Sequence, residues 1–223
     1  MDFVEIRELI GTSAVSDYPK YADKRWVKIQ DSNYGNYDDP IKYNCRTVRD
    51  KLVSYHDGFI LVKCKIKSST ATALTAAADI ALRNGSNSLV QKALVNFENK
   101  EIDNSLHNYL TTTMLNMLEY SDDYARSVAE KYGFAKDSAA DVISSGHTKV
   151  KLFRDAFKTA DDSFPLTTAI PLTYLSTFFR RLNFPIINHT LEIEWNSRTV
   201  NSLLRKNDVE ASKVTIVSTE LYC

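Results

Sequence analysis

The chain has 223 residues, enough for one large domain with a substantial core. Its 28 basic and 28 acidic side chains cancel, so it lacks the global charge of a nucleic-acid or membrane-surface binder. Mean hydropathy is negative, and no apolar run approaches the ~20 residues that span a bilayer. The start, MDFVEIRELIG, is too weakly apolar for a signal peptide, so a soluble, intracellular protein that is not secreted is expected.

Residues 1–24 read as an N-terminal arm, with a short helix from Phe3 to Ile10 stopped by Gly11. Strand character begins at Trp26-Val27-Lys28-Ile29-Gln30 and is followed by a turn-rich patch, Asp31 to Pro40. Ile41, Tyr43 and Cys45 then alternate with Lys42, Asn44 and Arg46, the pattern of a strand with one wet face. Ile60, Val62, Cys64 and Ile66 alternate with Lys63 and Lys65 in the same way. Residues 69–78 are small and read as a loop. Leu89 to Ile102 is strand-like, with a hairpin turn at Glu98-Asn99-Lys100.

From Asn104 to Phe134 the period becomes helical. Leu106, Leu110 and Met114 share one face, predicted to lie against the sheets. A second helix is expected after an N-cap at Ser121, with Gly133 as its stop. Residues 135–163 are polar and irregular, with a possible strand at Thr148 to Phe153. Val214 to Leu221 returns to strand. About eight strands with one helical insertion exclude parallel α/β winding, which needs a helix between most strands. The expectation is a mainly β protein. It is an antiparallel sandwich over residues 25–223, with a helical insertion at 104–134. Val27/Ile29, Ile60/Val62/Cys64/Ile66 and Leu191/Ile193/Trp195 are expected to share one core.

No catalytic constellation emerges. There is no glycine-rich phosphate loop among six glycines. His56, His107, His147 and His189 lack metal-ligand spacing, and His189 reads as a core or interface histidine. The acidic turn at Asp31 to Asp39 lacks the order of a calcium loop and reads as solvated. Ser144-Ser145-Gly146-His147 has no strand-to-helix context for a nucleophile elbow. Three scattered cysteines argue against disulfides and zinc, and Cys45 and Cys64 read as buried thiols. Neither an enzyme nor a cofactor is expected.

The densest apolar stretch is AIPLTYLSTFFRRLNFPIINHTLEIEW, residues 169–195. A strand ends at Ile170, and Pro171 suits a first helical position. A short helix over 172–182 then buries Phe178 or Phe179, and Pro185 stops it. A strand follows, with Leu191, Ile193 and Trp195 on one face and Thr190, Glu192 and Glu194 on the other. Arg180 and Arg181 at the helix end are either a solvated pair favoured by the dipole or a contact to a neighbouring subunit or to nucleic acid.

This stretch resembles the strand, short helix and strand of the first jelly roll in major capsid proteins of large eukaryotic DNA viruses and Polinton-type elements. The matching residues are Pro171-Leu172, Phe178-Phe179-Arg180, Pro185-Ile186-Ile187 and Trp195. The whole chain is also similar to a group of virus-like proteins encoded in invertebrate genomes. That likeness runs through RWVKIQD (25–31), LVSYHDGFILVKCKI (52–66), NFENKEIDN (96–104), MLEYSDDY (117–124) and STELY (218–222). Such relatives continue into a second jelly roll after the last strand, whereas this chain ends at Cys223, and the segment between Tyr124 and Pro165 is short. The expectation is therefore one half of a capsid subunit or a free-standing jelly roll.

The resemblance implies a structural capsid-like protein in a virion. Its partners would be itself, as a trimer or larger assembly, and other capsid subunits, with nucleic acid only enclosed. The residues proposed for subunit contact are Arg180, Arg181, Tyr120, Tyr124 and Tyr132, with Tyr34 and Tyr37 as a second tyrosine pair. The competing expectation is a monomeric jelly-roll module that binds a glycan or protein ligand.

Overall fold

The computed structural model describes residues 25–33, 35–37, 40–46, 51–68, 80–82, 85–119, 121, 164–198, 204–206 and 212–223. Twelve strands occur among them: β1 (Lys28–Gln30), β2 (Ile41–Arg46), β3 (Leu52–Val53), β4 (Phe59–Ser68), β5 (Ile80–Leu82), β6 (Val90–Phe97), β7 (Lys100–Ser105), β8 (Phe164–Pro171), β9 (Ile186–Ile187), β10 (Thr190–Ser197), β11 (Leu204–Lys206) and β12 (Ser212–Tyr222). Three α-helical segments join them: α1 (Asn108–Glu119), α2 (Leu172–Leu175) and α3 (Thr177–Arg181).

Two four-stranded sheets carry the architecture, in the orders β1-β12-β4-β8 and β2-β10-β6-β7. All pairings are antiparallel. The pairs β3-β9 and β5-β11 form separate two-stranded ribbons. With those set aside, the remaining eight strands in chain order read 1-8-3-6 in one sheet and 2-7-4-5 in the other. That interleaving is the connectivity of a jelly roll.

The core lies between the sheets, where period-2 alternation places it. Ile41, Tyr43 and Cys45 from β2, Ile60, Val62 and Cys64 from β4, and Leu191, Ile193 and Trp195 from β10 are all buried. Burial pushes the Cys45 and Cys64 thiols up to about 12, so both stay protonated. Ile29 packs half-buried against this core. The expectation for Val27 fails, since it is 47% exposed. It lies just before the edge strand β1, and its backbone exchanges hydrogen bonds with Cys223 at 2.8 and 3.1 Å. The Ile66 side chain lies outside the described residues.

The turns follow local chemistry. Glu98 and Asn99 both take positive φ, 50° and 60°, as a two-residue hairpin between β6 and β7 requires. The strain at Glu98 is offset by bonds to β10: its N–H donates to Thr190 O at 2.9 Å, and Oε1 accepts from Thr190 N–H at 2.6 Å. In the acidic turn, Asp31 Oδ1 accepts from Asn33 N–H at 3.0 Å, and Oδ2 accepts from Tyr37 and Thr219 hydroxyls at 3.3 and 3.2 Å. The Asp31 carboxylate therefore ties the turn to β12, and Tyr37 points inward. Tyr34, the short helix expected from Phe3 to Ile10, the loop at 69–78, the second helix after Ser121, the strand at 148–153 and the 1–24 arm lie outside the described residues.

The helical insertion differs from expectation. Residues 104 and 105 still belong to β7, and the helix runs from Asn108 to Glu119. Leu106, Leu110 and Met114 face outward, at 60%, 47% and 64% exposure. The inward face consists of Asn108 and Thr112, both buried. Asn108 Nδ2 donates to Leu175 O at 2.7 Å and to Tyr174 O at 3.3 Å. Thr112 Oγ1 donates to Asn108 O at 2.7 Å. The helix docks through polar bonds to open carbonyls at the end of α2, not through its apolar stripe.

Candidate subunit interface

The segment from Pro171 to Leu182 carries the arginine pair, and its local chemistry sets where that pair sits. Pro171, at φ −61°, precedes α2, and Leu172 N–H donates to Gly58 O at 2.9 Å. A Cβ on Gly58 would lie 2.8 Å from Leu172 Cδ1 and 3.1 Å from the carbonyl oxygens of Tyr55 and Tyr222. Any side chain there would displace Leu172 Cδ1 and crowd both carbonyls, so glycine suits the close approach. Leu172, Leu175, Phe179 and Leu182 are buried and plug the segment into the core.

The expected single helix is split. Ser176 adopts φ −150° and ψ 143°, ending α2 and capping α3. Its Oγ accepts from Phe178 N–H at 3.1 Å, the bond of a serine N-cap. Asp103, on β7, closes the cap. Its Oδ2 accepts from the Ser176 hydroxyl and from Thr177 N–H and Oγ1 at 3.1 and 3.2 Å. A carboxylate there also complements the exposed N–H groups of the turn. β7 and α1 thus clamp α3 and α2 in place.

The clamp leaves α3 divided. Phe179 points into the core and packs beside Tyr55, with ring centroids 6.1 Å apart. Phe178 is half-buried and lies against Phe97 at 5.9 Å. Arg180 is half-buried and Arg181 exposed, both in the last turn, where positive charge suits the helix end. Behind them His189 is buried, its Nε2 2.8 Å from the Tyr55 hydroxyl oxygen and its ring stacked on Phe97 at 5.7 Å. It is a core histidine, one of the two roles expected. Tyr120, Tyr124 and Tyr132 lie outside the described residues, so only the arginines of the predicted contact set can be placed.

No protein-family model matches the chain, and no curated protein matches it. Solved structures do. A chain in the cryo-EM structure of the Sputnik virophage aligns with TM-score 0.57 at 11% identity, over 94% of this chain and 51% of that one. In fold, the chain is similar to one jelly roll of a viral capsid. The mavirus major capsid protein matches over 96% of this chain and 50% of its own, at 12% identity and TM-score 0.46. A PBCV-1 virus capsid chain matches over 93% and 44%, at 10% identity and TM-score 0.36. The chain thus spans about half the length of the capsid structures it matches.

Among the described residues, no three His, Cys, Asp or Glu side chains gather into a cluster that could hold a metal. No helix among them is long and apolar enough to cross a membrane. The jelly roll does display one feature that the sequence reading assigned to its interior. Leu106, Leu110, Met114 and Leu118 recur every four residues and are all exposed, Leu118 at 83%. The signal for this was present in the sequence. Asn108 and Thr112 also stand four apart, on another face, and both can bond to backbone.

Proposed function

We propose that this jelly roll is a shell-forming structural protein that works by associating with copies of itself and with other capsid subunits, as a virion component. The observation that carries the reading is the 1-8-3-6 and 2-7-4-5 strand order, together with the fold shared with the Sputnik chain. The role is structural, without catalysis. Residues 25–223 act as one domain behind an N-terminal arm at 1–24. The assembly unit is a trimer or larger ring, and nucleic acid is enclosed, not gripped, consistent with a net charge of zero. Tyr120, Tyr124 and Tyr132 join Arg180 and Arg181 at the contacts. The test is sizing of the purified chain by sedimentation across concentration, with electron microscopy of the largest species. Oligomers of defined stoichiometry support the reading. A chain that stays monomeric at every concentration overturns it, and favours a jelly-roll module that binds a glycan or protein ligand.

A further inference from the structure

We infer that the outward face of α1 is a self-association surface, and that its occupant is a second copy of this chain. This deepens the shell-forming reading and rests on it. The helix is amphipathic in reverse. Its buried face is Asn108, which donates to the α2 carbonyls, and Thr112, which donates to Asn108 O at 2.7 Å and reaches Tyr174 O at 3.4 Å. Its exposed face is the stripe Leu110, Met114 and Leu118, continued by Leu106 in the turn before the helix, all between 47% and 83% exposed. A helix normally turns its apolar stripe to its own core. An apolar row left in water beside a satisfied polar face marks a surface made for contact.

The chemistry selects the occupant. The helix sequence NYLTTTMLNMLE contains no lysine or arginine, and its one charged residue is Glu119 at the end. A nucleic acid or acidic peptide finds no cation on the stripe itself, since the Arg198 guanidinium beside the helix is seated 3.9 Å over the Tyr109 ring, and a basic partner finds no row of carboxylates. What fits an uncharged apolar row is another uncharged apolar row, which every copy of the chain supplies. With 28 acidic and 28 basic residues, copies approach without net repulsion. Burying four such side chains removes on the order of 50–100 Å² each, or roughly 200–400 Å² per copy. A stable interface covers about 800 Å² per partner. The stripe is therefore the apolar centre of the contact, and flanking surface supplies its rim.

The experiment compares the full-length wild type with a Leu110→Asp/Met114→Asp variant by sedimentation velocity. In parallel, a benzophenone amino acid replaces Met114 in an otherwise unchanged chain, for photo-crosslinking. The expected result is a wild type that assembles, a double variant whose association is weakened at least ~100-fold, and crosslinks from position 114 between copies. An assembling wild type with an equally assembling double variant overturns this inference and leaves the shell-forming reading standing. So do crosslinks that form only within one chain. A wild type that never assembles overturns both. Should the double variant fail to fold, the crosslinking arm decides alone.

Discussion

His189 joins elements that are distant in sequence. Its Nε2 meets the Tyr55 hydroxyl, 134 residues away, its ring stacks on Phe97 of β6, and Glu98 of the hairpin lies near enough to act on its charge. Burial holds the imidazole below its ordinary value of 6.5, while the Glu98 carboxylate pulls the other way. The sign of the linkage follows. The unfolded chain takes up a proton near pH ~6.5, but the folded one resists until lower pH. Between those values the unfolded state holds more protons, so stability falls as pH drops below ~6.5, by at most ~1.4 kcal/mol per pH unit. Above pH ~7 the contribution is complete. Urea unfolding at pH 7.5 and 5.5 is expected to show a larger loss for wild type than for His189→Gln. Equal losses would assign the acid sensitivity to other groups. A core or interface role for His189 was legible in the sequence, but its tyrosine partner was not. Contacts across 134 residues leave no local pattern.

At the scale of elements, the strands were legible and the helices less so. A strand with one wet face must alternate, and β2, β4 and β10 do so with Ile41/Tyr43/Cys45, Ile60/Val62/Cys64 and Leu191/Ile193/Trp195. Helical periodicity in α1 established an apolar face but not its direction. Nothing in the apolar stripe itself says whether it turns to its own core or to a partner. The polar anchor at Asn108 decides it, because the Tyr174 and Leu175 carbonyls it satisfies belong to another part of the chain. The break between α2 and α3 had a local signal in Ser176, a favoured capping residue, but Asp103 arrives from β7 and could not be foreseen. These assignments separate two substitutions. Leu110→Asp is expected to cost less than about 1 kcal/mol in the isolated monomer, since the side chain is already 47% exposed. Phe179→Ala removes a fully buried ring and is expected to cost ~3–5 kcal/mol. Denaturant unfolding should be done at high dilution, where assembly does not add to apparent stability. A Leu110→Asp cost as large as that of Phe179→Ala would place the stripe inside the fold.

For the whole molecule, alternation foretold a sandwich, but the order 1-8-3-6 and 2-7-4-5 depends on which distant strands pair, and no single strand encodes it. The order brings β7 beside the segment between β8 and β9, so Asp103 can cap α3 and fix the arginine pair at the end of a clamped turn. Phe179 anchors that turn from within, while Arg181 faces solvent. If the arginine pair lies at a subunit contact, as proposed, stability and assembly separate along this one short segment. Exposed charges contribute little to unfolding, typically below about 1 kcal/mol, but charges at a subunit contact are screened over ~10 Å at 0.1 M salt. An Arg180→Ala/Arg181→Ala variant is expected to unfold within about 1 kcal/mol of wild type. Its association should respond less steeply to added salt, because two of the charges being screened are gone. Sedimentation of both proteins from low to high salt measures the two slopes. Parallel slopes with unchanged unfolding would return the pair to a helix-end role and leave the apolar row of α1 as the contact surface. A steeper slope in wild type would make the arginines part of the charged rim around it.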